Sequence, residues 1–69
     1  MLKTAYSTRH GGPWDRGSAD SYYRRAFDPH YYVGNTYSSP RRDCEPGSEE
    51  WEAYEAGYNE NEASGNFKY

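Results

Sequence analysis

Polar and apolar positions repeat with a helical period in two stretches of the chain. Within 15–26, Ala19, Tyr22, Tyr23 and Ala26 stand at i, i+3, i+4 and i+7, the spacing of one helical face. Arg16, Asp20 and Arg24 follow at i,i+4 steps on another face, where opposite charges become neighbours. Pro13-Trp14-Asp15 opens this segment with Asp15 as N-cap, and Pro29 closes it by disfavouring helical geometry at Asp28. Arg24 and Arg25 then fall in the last turn, where the macrodipole favours cations.

The second stretch is bounded more sharply. Ser48 is the N-cap, Glu49 and Glu50 occupy the positive end of the dipole, and Gly65 stops the helix. Trp51, Tyr54 and Tyr58 form one stripe, while Glu52, Glu55, Asn59, Glu60 and Glu62 cover much of the remainder. Gly17 weakens the first helix by roughly 1 kcal/mol relative to Ala. Gly57 sits in the middle of the second, which suggests that another backbone comes close there, with Gly17 as its counterpart.

Between the helices, residues 28–47 carry Pro29, Pro40, Pro46, Gly34 and Gly47, so a long strand is improbable. A short extended piece around Tyr31–Val33 is the most this connector allows. Residues 1–12 read as a flexible polar lead ending in a Gly11-Gly12 joint, and 13–69 as a single domain. The expected fold is small and all-α: two antiparallel helices, about 15–26 and 48–63, joined by a long Pro/Gly/Tyr-rich loop. They pack through Tyr22, Tyr23, Trp51, Tyr54 and Tyr58, and the tail Asn66-Phe67-Lys68-Tyr69 has two aromatics that can fold back on the pair.

Composition changes what the core must be made of. Leu2 and Val33 are the only branched aliphatics in 69 residues, a level at which disorder is the prior. Nine Tyr and two Trp stand against that, each able to bury roughly 150–250 Å². An aromatic core with phenol oxygens at its rim follows; folding only on a partner is the alternative. There is no transmembrane run and no secretory segment after Met1, and the lone Cys44 forms no internal disulfide, so the cytoplasm is the expected compartment.

Charge is polarised. Residues 1–42 carry Lys3, Arg9, Arg16, Arg24, Arg25, Arg41 and Arg42 against three Asp, whereas residues 43–69 carry eight carboxylates against Lys68. The asymmetry points to a polyanion partner, or to one half neutralising the other. Arg16, Arg24, Arg25, Arg41 and Arg42 are interleaved with Tyr22, Tyr23, Tyr31, Tyr32, Tyr37 and His30. Cationic phosphate contacts with aromatic stacking are what single-stranded or looped RNA requires. A tyrosine core edged by arginine explains the same pattern without a ligand. The acidic half suggests the opposite role, with Glu52, Glu55 and Glu62 engaging a basic host protein.

Catalytic chemistry is poorly supplied. His10, His30 and Cys44 lack zinc-ligand spacing, and Asp43 and Glu45 disfavour a Cys44 thiolate. No phosphate loop or nucleophile elbow occurs. A protein without catalysis, metal or cofactor, and without a small-molecule substrate, is the expectation.

The run from Arg9 to Tyr23 (Arg9-His10-Gly11-Gly12-Pro13-Trp14-Asp15-Arg16-Gly17), with Asp28-Pro29-His30-Tyr31, resembles small phage proteins of the T-even Cef group, modifiers of suppressor tRNAs. Ala53-Tyr54-Glu55-Ala56-Gly57-Tyr58-Asn59-Glu60-Asn61-Glu62 and Gly65-Asn66-Phe67-Lys68 extend that resemblance to most of the chain. A wider likeness, through Arg16-Gly17, Pro29-His30-Tyr31 and Tyr54-Glu55-Ala56-Gly57-Tyr58, is to ribosome modulation factor. That family is basic overall, unlike this chain. The resemblances imply two helices around a long linker, and a phage accessory protein that modulates tRNA processing or the host translation machinery. Its partner would be tRNA, ribosomal RNA or an associated host protein, in the host cytoplasm.

Overall fold

The computed structural model describes Ser7, residues 9–34 and residues 39–68. Its elements run α1 (Pro13–Tyr22), β1 (His30–Tyr32), β2 (Arg41–Asp43) and α2 (Glu49–Ser64). β1 and β2 pair antiparallel, with His30 opposite Asp43, Tyr31 opposite Arg42 and Tyr32 opposite Arg41. The protein is therefore not all-α. Pro29 and Pro40 immediately precede the two strands instead of interrupting them, so no ladder donor is lost. The ladder is extended at its margins: the Tyr32 N–H donates to the Gly11 carbonyl at 2.7 Å, and the Cys44 N–H to the Pro29 carbonyl at 3.1 Å.

α1 starts and ends earlier than its periodicity suggests. Gly12 is the N-cap with Pro13 at the first helical position, and Asp15 lies in the first turn, where its carboxylate accepts the Gly11 N–H at 2.9 Å. The helix closes on a Schellman motif. The Arg24 N–H donates to the Ser21 carbonyl (3.0 Å), the Arg25 N–H to the Asp20 carbonyl (2.7 Å), and Arg24 takes a left-handed φ of 61°. Arg24 and Arg25 thus lie just beyond the helix. α2 follows expectation: Ser48 accepts the Trp51 N–H at 3.1 Å, and Gly65 closes it at φ 71°.

The buried face of α1 is Gly17, Asp20 and Ser21, not the face of Ala19, Tyr22, Tyr23 and Ala26. Tyr23 is 48% exposed. Two glycines decide this. A β-carbon on Gly17 would meet the Tyr54 carbonyl oxygen at 2.1 Å, and one on Gly57 the Trp14 carbonyl oxygen at 2.2 Å. With backbones that close, only small side chains fit between the helices, and the long phenol of Tyr54 reaches past them. Tyr54 is fully buried and donates to the carboxylate of buried Asp20. Ser21, also fully buried, donates to Glu62 at 2.7 Å and accepts from Asn61 at 2.9 Å.

The helices run in the same general sense, not antiparallel. Pro13 and Ala53 line one cavity near the two starts, while Ser21 bonds Asn61 and Glu62 near the two ends. A reversal would need only a short turn; returning to the same end needs a long crossover. The connector supplies it, and uses part of its length for the hairpin. Around Tyr54, Phe27 meets Trp51, Tyr54 and Tyr58 edge-on at 5.9, 5.3 and 5.2 Å, and His30 lies 5.8 Å from the Tyr54 ring. The core is aromatic, as composition requires. Gly11 and Gly12, expected to form a joint, are buried against β1 and Arg9; the rest of the lead, apart from Ser7, Arg9 and His10, lies outside the described residues.

Candidate nucleic-acid interface

The segment after α1 is held from α2 by two phenols. Tyr58 donates its hydroxyl to the Arg25 carbonyl at 2.9 Å, and the Tyr54 hydroxyl accepts the Asp28 N–H at 3.1 Å. From the other side the tail returns: the Lys68 N–H donates to the Tyr22 carbonyl at 2.7 Å, and Asn61 holds the Asn66 carbonyl at 2.9 Å. The tail folds back as far as Lys68; Tyr69 lies outside the described residues.

This arrangement gathers cations onto rings. The Arg24 guanidinium lies 5.2 Å from the Phe67 ring centroid, Arg25 lies 5.1 Å from that of Tyr23, and the Lys68 ammonium 5.8 Å from the same Tyr23. Tyr22 meets Tyr23 edge-on at 5.0 Å. Arg25 also comes within 3.6 Å of Asp20, yet its side chain stays 61% exposed. Tyr23 belonged to the interleaved aromatic pattern of the sequence, whereas Phe67 and Lys68 were absent from the expected binding residues. Lys68, the single cation in the acidic half, was the available signal.

Other expected ligand residues are engaged within the fold. Arg16 pairs with Asp15 at 2.9 Å, not with Asp20, and its side chain is 14% exposed. Arg41 donates to both Asp28 oxygens at 2.9 Å and to Asp43 at 2.8 Å; these bonds raise its pKa further above the ordinary arginine value. His30 is buried, with Nδ1 2.7 Å from the Asp28 carbonyl, and is not placed for base stacking. Tyr32 meets His30 edge-on at 5.6 Å and its carbonyl accepts from Arg9 at 2.6 Å. Tyr31 is half-buried in a cavity of about 300 Å³ with Arg9, Pro13, Glu49, Glu50 and Ala53. Arg42, opposite Tyr31, is exposed and makes no side-chain hydrogen bond or ion pair among the described residues. Tyr37 lies outside the described residues.

On α2, Glu52, Glu55 and Glu62 share one face; the first two are exposed without a side-chain partner among the described residues, and Glu62 accepts from Ser21. Cys44 is buried, and burial, followed by the charges of Glu50 and Asp43, pushes its thiol up to about 11. No three His, Cys, Asp or Glu side chains cluster to hold a metal among the described residues, and no described helix is long and apolar enough to cross a membrane. No protein-family model, curated protein or solved structure matches this chain.

Proposed function

We propose that this protein is a non-enzymatic accessory factor of the phage Cef type, acting in the host cytoplasm on tRNA processing or the translation machinery by contacting structured RNA or its protein complex. The observation that carries the reading is the set of ring-seated cations Arg24, Arg25 and Lys68 on Tyr23 and Phe67. It offers hydrogen-bond donors to phosphate and flat surfaces at one place on the fold, the two components RNA recognition uses. The sequence resemblances to the phage Cef group, modifiers of suppressor tRNAs, and to ribosome modulation factor support the same direction.

The test is salt dependence. Binding to unfractionated tRNA or to ribosomes should weaken steeply with added salt, because each neutralised phosphate releases counterion. Absent or salt-independent binding would overturn direct RNA contact. Tagged protein captured from infected cells should lose its partners on RNase treatment.

A second reading rests on the exposed, unpartnered Glu52 and Glu55 beside Glu62. An acidic face of this kind suits an inhibitor or adaptor that blocks a basic host protein. A single stoichiometric basic protein that persists through RNase would favour it.

A further inference from the structure

We infer that Arg24 and Arg25 form a preorganised guanidinium platform for an unpaired nucleotide, so that the RNA contacted is a single-stranded loop or end and not a duplex. The inference rests on the RNA reading above and names which RNA. Arg24 is the one non-glycine residue with positive φ among the described residues, at 61°. It occupies the Schellman position where glycine is usual, and where a β-carbon is unfavourable. α2 also ends on a left-handed residue and uses Gly65 there. The backbone at this turn favours glycine, so what arginine adds there lies in its side chain.

That side chain lies over Phe67, and its neighbour Arg25 lies over Tyr23. Both residues are exposed. Each guanidinium carbon lies over a ring, at 5.2 Å for Arg24 and 5.1 Å for Arg25, a contact that restricts the side chain and lowers the rotamer entropy lost on binding. The exposed side of such a plane stacks on a nucleobase, and its N–H edge meets phosphate in a fork. Lys68 adds a point charge beside Tyr23. A duplex offers phosphates but keeps its bases stacked inside, so the planes would find no partner; an unpaired base supplies one.

Arg24→Gly and Arg24→Ala separate this role from folding. Both remove the guanidinium, but only glycine relieves the backbone. Arg24→Gly should melt about 4–8 °C above Arg24→Ala, the shift expected for about 1 kcal/mol in a domain of this size. Both should nevertheless weaken binding of a fluorescein-labelled single-stranded oligoribonucleotide by the same factor, about tenfold. Phe67→Ala, which keeps the charge and removes its seat, should weaken it less and leave the salt dependence unchanged. The same oligonucleotide annealed to its complement should bind the wild type more weakly than the single strand does. Equal binding of duplex and single strand, or undiminished binding by Arg24→Gly, overturns the platform; salt-dependent binding of tRNA by the same protein would then leave the broader function standing. If the wild type binds no RNA and Arg24→Gly instead loses a protein partner, both readings fall.

Discussion

Gly17 and Gly57 occupy one crossing, each making room for the backbone of the other's helix. The closest approaches of an added β-carbon would be to carbonyl oxygens at 2.1 Å and 2.2 Å, so neither site can be relieved by moving a flexible side chain. Gly57→Ala should destabilise by about 1–3 kcal/mol even though alanine is the better helix former, and Gly57→Leu should abolish the cooperative transition. Melting followed by near-ultraviolet circular dichroism checks this. A Gly57→Ala protein as stable as wild type would show that the helices are not in contact there.

Tyr54 and Cys44 give the fold an alkaline limit. Burial, then the hydrogen bond to Asp20, raises the Tyr54 phenol above its ordinary 10.0, and Cys44 rises from 9.0 to about 11. In both cases the folded chain keeps a proton that the unfolded chain releases. Their contribution is complete below pH 9 and declines above it, first through Cys44 and then, past pH 10, through Tyr54, by about 1.4 kcal/mol per pH unit for each group. Urea titrations at pH 8, 10 and 11 should show the decline, and Cys44→Ala should remove its first part. At neutral pH, Tyr54→Phe should cost about 1.5–3 kcal/mol by leaving the Asp20 carboxylate without its phenol donor.

Arg41 and Arg42, adjacent in sequence, should behave differently. Arg41 is neutralised by Asp28 and Asp43. Arg41→Gln should lower stability by about 0.5–1 kcal/mol and leave tRNA affinity nearly unchanged. Arg42→Gln should leave the melting temperature unchanged and reduce the slope of affinity against salt. Filter binding across a salt series distinguishes them.

The acidic face tests the two functional readings against each other. Glu62 holds Ser21, so its reversal would also disturb the helix contact; Glu52 and Glu55 carry no such role. Glu52→Lys with Glu55→Lys should leave the fold intact and strengthen tRNA binding by removing like-charge repulsion. Loss of the complex in a folded double variant would instead identify the acidic face as the contact surface.

α2 was legible in nearly every detail, because Ser48, the acidic first turn and Gly65 act locally and need no tertiary partner. The meeting of Gly17 with Gly57 was legible too: a mid-helix glycine is unfavourable unless something comes close. α1 was displaced because local rules put Asp15 at the cap, whereas packing of Gly11 against β1 and of Gly12 against Arg9 starts the helix at Pro13. Its tyrosine face gave way because close helix approach admits only Gly17, Asp20 and Ser21. The short extended piece expected around Tyr31–Val33 overlaps β1, but β2 and the pairing escaped, because they depend on residues brought from elsewhere, Gly11 on Tyr32 and Asp28 on Arg41.

By itself, then, the sequence determined an aromatic core, two helices, a glycine crossing and a polarised charge distribution, since each follows from residue type or near-neighbour spacing. Only the tertiary structure decided the sense of the helix pair, the hairpin, and which cations are spent on internal carboxylates. Those outcomes depend on contacts between residues far apart in the chain: Arg41 meets Asp28, and the tail brings Phe67 beneath Arg24, where spacing alone carries no information.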